Sequence, residues 1–204
     1  MKRSLLATAL ALCASPAFAA CPTAEDVVKR GVYIDYSDNT FVRYRQIEAD
    51  VIGEATYVPT EGENFFSGRY LGVYLIIDAA LKDDRPDSES LFTFQPASDA
   101  PDWPAVAPGM SWEGTMVTRR ANGDFVNRFE MRVEVTGEDA LHISGCDYTV
   151  DILRVEEVHE NSESASEQRY IRELGIGYVS AYGPLTGEYE HYYVPRWIGL
   201  KPPC

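Results

Sequence analysis

A 204-residue chain with 32 acidic against 18 basic side chains, net charge −14, carries an acidic surface that repels phosphate backbones and anionic lipid. Nucleic acid is therefore excluded as a partner. Its length suits a single domain able to bury a proper core.

The N-terminus reads as a cleavable secretory signal. Lys2 and Arg3 are followed by an apolar run from Leu5 to Ala14, then Ser15-Pro16 and the small-x-small site Ala17-Phe18-Ala19. That run is too short to span a bilayer, which takes about 20 residues. Residues 1–19 are thus expected to leave by cleavage after Ala19, and 20–204 form one β-rich domain. Two cations and no acids go with the signal, so net charge moves from −14 to −16. The longest later apolar stretch, Tyr70 to Leu81, contains Asp78 and has the length of a core element, so no transmembrane segment is expected in the mature chain.

Cys13 leaves with the signal, and Cys21, Cys146 and Cys204 remain. In an oxidising compartment three pairings are open, each with one thiol left over. Lipid anchoring through Cys21 would leave Cys146 and Cys204 as an even pair, but Phe18 stands where a lipoprotein box expects Leu.

The mature chain opens on one short helix. Thr23 can cap it, Asp26 completes an approximate capping box, Lys29 and Arg30 suit its C-terminal end, and Gly31 stops it. A β pattern follows. Val32 to Ile34 and Thr40 to Ile47 flank a turn at Ser37-Asp38-Asn39, and Glu54 to Val58 ends at Pro59. Past a polar loop at 61–64, Phe65 to Ala80 holds one long or two short strands. Lys82 to Ser90 is polar, and Gln95 to Gly109 carries four prolines that bar it from a sheet centre, leaving a surface crossing anchored by Trp103.

Phe125 to Val135 alternates cleanly. Phe129, Met131, Val133 and Val135 share one face, and Arg128, Glu130, Arg132 and Glu134 the other. Asn122-Gly123 joins this half-buried strand to Ser111–Arg119 through an expected type I′ turn. Gly137-Glu138-Asp139 reads as a turn into Leu141 and Ile143. Tyr148, Val150 and Ile152 form the next strand, where a slip of phase to Leu153 and Val155 signals a bulge. His159 to Gln168 reads as a polar loop, Tyr170 to Tyr182 as β, and Thr186-Gly187 as a turn into Glu188–Val194. About ten short strands imply a mainly β fold: an antiparallel meander, sandwich or open barrel with one short N-terminal helix.

No catalytic, cofactor-binding or metal site stands out. His142, His159 and His191 lack ligand spacing and read as surface residues. There is no Gly-x-Ser-x-Gly elbow. Asp83 to Glu89 places oxygens at alternate positions, but Pro86 and a missing glycine spoil a calcium loop, leaving a solvated one. Tyr189, Tyr192, Tyr193 and Trp197 suit a ligand pocket, though a β core uses such residues equally and is the reading preferred.

The start Cys21-Pro22-Thr23-Ala24, the strand Gly145-Cys146-x-Tyr148-x-Val150 and the element Tyr170-Ile171-Arg172-Glu173-Leu174-Gly175 resemble an uncharacterised family of small secreted β-rich proteins of alphaproteobacteria. That resemblance implies an exported β-domain with a disulfide between Cys21 and Cys146. It implies no activity. Cys204 departs from the pattern and is left as a free or intermolecular thiol. A more distant likeness, of architecture alone, is to the open half-barrel of bacterial lipoprotein carriers.

The expectation is an exported, periplasmic or secreted domain without a cofactor, non-catalytic, that binds a partner protein or an apolar small molecule. A periplasmic hydrolase whose site is assembled only in three dimensions is one alternative, and an outer-membrane barrel the other. Charges at Glu48, Asp50 and Glu54 argue against the barrel.

Overall fold

The computed structural model describes residues 21–59, 62–98 and 103–202. The signal segment and Cys204 lie outside them. Helix α1 (Ala24–Lys29) starts where the capping pattern puts it: the Asp26 carboxylate accepts hydrogen bonds from the Thr23 amide and hydroxyl, both at 3.0 Å. Arg30, hydrogen-bonded to Asp26, holds that carboxyl below its ordinary pKa against the effect of burial, and the Thr23 amide and hydroxyl add to the lowering.

The remaining elements are strands. They run β1 (Val32–Tyr36), β2 (Phe41–Glu48), β3 (Val51–Tyr57), β4 (Asn64–Tyr70), β5 (Tyr74–Lys82), β6 (Arg85–Pro86) and β7 (Phe92–Pro96). They continue as β8 (Ser111–Arg120), β9 (Phe125–Ile143), β10 (Cys146–Val158), β11 (Glu163–Ile171), β12 (Ile176–Gly183), β13 (His191–Tyr192) and β14 (Pro195–Gly199). The order across the sheet follows the chain from β1 to β12, except that the short β6 pairs only with β5 and lies off the path. This is an antiparallel meander, fixed by local hairpins.

The segment 191–199 reaches both ends of the sheet. His191 and Tyr192 pair with β12, whereas Pro195–Gly199 pairs with β1. Among the described residues no ladder joins β12 to β1 directly, so the sheet is not closed into a barrel. A membrane-spanning barrel needs full closure to satisfy every backbone group, and this corrects the outer-membrane alternative. No helix among the described residues is long and apolar enough to cross a membrane.

The sheet bends over itself. Val42 and Ile52, from β2 and β3, share one buried cluster with Val150 and Ile176, from β10 and β12. The two halves approach closely where the β4–β5 turn meets the start of β12. Leu71 and Gly72 both adopt positive φ there, as a type I′ turn requires. A Cβ on Gly72 would lie 2.5 Å from the Gly175 carbonyl oxygen, and one on Gly177 equally close to the oxygen of Gly72. Side chains at either position would hold the two halves apart.

Cys21 and Cys146 are joined by a disulfide, with Cα atoms 5.7 Å apart, which ties α1 to the start of β10. The Tyr148 hydroxyl donates to the Pro22 carbonyl, and the Ala24 amide to the Glu173 carbonyl, on the same side. With its sulfur in this bond, Cys21 has no thiol to carry a lipid.

Several expectations are corrected. There is no turn at Gly137-Glu138-Asp139: β9 runs unbroken through it. Ile152 faces Gly137 and Leu153 faces Val135, so Thr136 is the extra residue of a bulge, and this is the slip of phase seen in β10. His159 to Gln168 is not one loop either. A tight turn at 159–162 leads directly into β11, whose buried positions are Ala165, Gln168 and Ile171. Tyr170–Tyr182 divides into the end of β11, a turn, and β12. Asn122-Gly123 does close the β8–β9 hairpin, but only Gly123 has positive φ. The Gly123 amide donates to the Arg120 carbonyl, and Asn122 caps the loop by accepting from the Asp124 amide. That is a longer loop than type I′. Finally, β9 and β10 are far longer than the short strands expected.

Candidate functional site

Consecutive hairpins put Tyr44, Glu54, Ser67 and Asp78 directly opposite one another on β2, β3, β4 and β5. Cross-strand partners share a face, so this row points into the bend. Tyr178 of β12 comes from the other side, its ring 5.8 Å from that of Tyr36 and tilted by 54°. Between them lies a cavity of about 390 Å³. Its floor is buried Tyr36, Tyr44 and Glu54, and its rim includes exposed Asp38 and Phe65.

Arg69 stands two residues beyond Ser67 on β4 and meets Glu54 diagonally, Nε to Oε1 at 2.9 Å, with side chains only 11% and 10% exposed. Its Nη1 also donates to the Val73 carbonyl at 3.2 Å. Burial raises the Glu54 carboxyl above its ordinary pKa, against the pull of Arg69, and nearby Asp78 adds to the rise. Asp78 is raised by burial too, although Ser67 donates a hydrogen bond to it.

Burial also lifts the phenols. Tyr36 and Tyr44 are pushed well above the ordinary tyrosine range, and Tyr178 up to about 12. All three are neutral hydroxyls near pH 7. The Tyr36 and Tyr44 oxygens are 2.8 Å apart, so one hydroxyl donates to the other and the second has its proton to direct elsewhere.

The residues weighed from the sequence fall in other places. His142 is exposed beside Asp147, His159 stacks on Phe129, and His191 is exposed against Tyr182. The three histidines do not converge. Among the described residues no three metal-ligating side chains come together. Asp83 and Asp84 form a tight turn at positive φ, the Asp84 carboxylate accepting from Tyr57 and that of Asp87 from the Glu89 amide. Tyr189, Tyr192 and Tyr193 are not in the fully buried core but line a second hollow of about 410 Å³ that shares Tyr178 and Tyr193 with the first.

The buried pair Glu54–Arg69 was missed. The sequence shows Glu54 only as the start of a strand and as one of the charges that argue against a barrel. Only the register of β2 to β5 shows that it faces inward, and that register depends on turns the sequence marks weakly.

No protein-family model matches the chain. No curated protein matches it either. Among solved structures, the hypothetical lipoprotein YmcC of Escherichia coli (K12) aligns at 15% identity over 85% of this chain and 84% of its own, with a TM-score of 0.42.

Proposed function

We propose that the protein is an exported, non-catalytic β-domain that binds a small amphipathic molecule in the cavity between β2–β5 and β12. One observation carries this reading: the bend of the sheet leaves a half-open cavity of about 390 Å³ lined by tyrosine rings and aliphatic groups, with an ion pair on its floor. Such a volume lies in the range typical of small-molecule sites, roughly 300–1,000 Å³. The mixture of Val42 and Phe65 with hydroxyl and charged groups suits a ligand with an apolar body and a polar group, rather than a wholly apolar one. Export is supported by the signal-like N-terminus and by a disulfide, which persists in oxidising compartments.

The test is a thermal-shift screen of the mature protein against a library of small amphipathic molecules, repeated on Val58→Trp. Val58 is a half-buried lining residue just past the end of β3, so an indole there fills the mouth without touching the floor. The expected result is a ligand that stabilises the wild type and not the variant, with both showing the same circular dichroism. Equal stabilisation of both would place binding elsewhere, and turnover of any hit would overturn the non-catalytic part.

A further inference from the structure

We propose that the group recognised in this cavity is an ammonium cation, quaternary or primary; this rests on the ligand-binding reading above. The first argument is the rings. Tyr36 and Tyr178 meet at 54° with centroids 5.8 Å apart, so they form a corner rather than a flat stack, and Tyr44 and Phe65 extend the same lining. Aromatic faces carry the negative part of a quadrupole, and a set of rings at angles is how proteins hold ammonium groups.

The second argument is charge. The charged side chains lining the cavity are Asp38, Glu54 and Arg69. Arg69 is committed twice, to Glu54 and to the Val73 carbonyl. The two charges of that pair offset each other, and the carboxylate of Asp38 remains at the rim. Asp38 accepts hydrogen bonds from the Thr40 amide and hydroxyl, at 3.0 and 2.9 Å, which orient its carboxylate but leave its charge intact. Behind Ser67 stands a further acid, Asp78.

An anionic ligand would have to take Arg69 from Glu54 and strand a buried carboxylate, and it would pass Asp38 on the way. A cation meets neither obstacle. The field of the whole chain, at −14, also draws cations toward it.

The experiment is calorimetric titration of the mature wild-type protein with three probes of similar size: choline, its uncharged isostere 3,3-dimethyl-1-butanol, and butyrate. Choline should bind saturably and about tenfold or more tighter than the isostere, the factor a desolvated cation–π site supplies. Asp38→Asn, a substitution at an exposed site, should weaken choline several-fold and leave the isostere unchanged. Val58→Trp should abolish both. Equal affinity for choline and isostere, or a preference for butyrate, overturns the cationic class while leaving the cavity as a binding site. If none of the three binds, the cationic class also falls, and the ligand-binding reading then stands or falls on the library screen.

Discussion

The bent sheet holds two interiors of opposite character. In the first, around β1–β3 and β10–β12, buried aliphatic residues such as Ile34, Val150 and Ile176 share the space with Tyr36, Tyr44 and Tyr178, and the Glu54–Arg69 pair lies beside them. In the second, around β8–β10, the buried side chains are Val73, Tyr74, Met110, Met116, Phe129, Met131, Val133, Leu153 and Val155. Trp103 closes it, stacked on Tyr74 at 5.1 Å and edge-on to Trp112. Both interiors are built by the same strands, since β9 and β10 pass through each. What differs is filling. Unbranched Met side chains and two indoles adapt to the second space and fill it. Rigid phenols with fixed hydrogen bonds leave the first partly empty. The proposed binding is assigned to the half that keeps a cavity.

The largest effect expected is in the filled half. Met131 is 3% exposed and faces Gly114 on one side and Glu157 on the other. Met131→Asp places a carboxylate among apolar side chains and close to Glu157, and should cost about 4 kcal/mol or more. Urea unfolding measures it. A loss under 1 kcal/mol would mean that this interior is wetter than its composition states and would erase the contrast.

Next in size is the disulfide, which staples only the first interior. The bond closes a loop of 125 residues, and loop-closure entropy alone would assign it about 4–5 kcal/mol, with measured values often lower. In Cys21→Ser/Cys146→Ser, hydrogen exchange should accelerate first in α1, β1 and the start of β10. If exchange rises equally in β8 and the centre of β9, the two interiors open as one unit rather than two.

The third test separates the polar floor from the apolar one. Glu54→Leu leaves the Arg69 guanidinium buried without its partner and should cost about 3 kcal/mol, whereas Glu54→Leu/Arg69→Leu should recover most of that loss. The pH dependence follows from the raised carboxyl. Because the Glu54 pKa is higher folded than unfolded, the folded state binds more proton in that window. Stability from this group is full below the ordinary carboxylate range and is lost as pH rises through the raised value. Glu54→Gln should remove that slope. A wild type that instead gains stability from Glu54 as pH rises would show that Arg69 outweighs burial.

How far these two interiors were legible in the sequence follows from their chemistry. The filled one announces itself. Strict alternation from Phe129 to Val133 gave the strand and its buried face, and Trp103 was expected as an anchor. The first interior is harder to see because polar residues surround its buried positions in the sequence. Ala165 is buried in a strand, β11, whose sequence Glu-Ser-Ala-Ser-Glu-Gln reads as a loop. The inward place of Glu54 emerges only from the register, and one of the turns that set it is held by Asp50 at positive φ with no glycine to mark it. Gly137 misled in the opposite sense: it lies within β9 beside the bulge at Thr136, where strand and turn composition look alike. The Cys21–Cys146 pairing was available only through resemblance, since three cysteines alone leave all pairings open.

The smallest effect completes the comparison, because it concerns the outside of the same strand. Arg132 follows Met131 and points the other way. Its side chain is 49% exposed and lies 3.0 Å from Glu134, itself 44% exposed, while Glu113 and Glu156 are its registered neighbours on β8 and β10. Three acids around one cation suggest a large contribution, but all of this is in reach of water and salt. An exposed ion pair is worth about 0–1 kcal/mol, and part of that is offset by holding two long side chains in place. Glu156 is meanwhile supplied by Arg154 at 2.6 Å, so removing Arg132 does not leave it alone. Arg132→Ala should therefore cost about 0.5 kcal/mol or less. Measured beside Met131→Asp under identical conditions, it sets the scale of the contrast between the two faces. A ratio near one would mean that β9 presents its faces the other way round, and the division into a filled and an open interior would have to be redrawn from that strand outward.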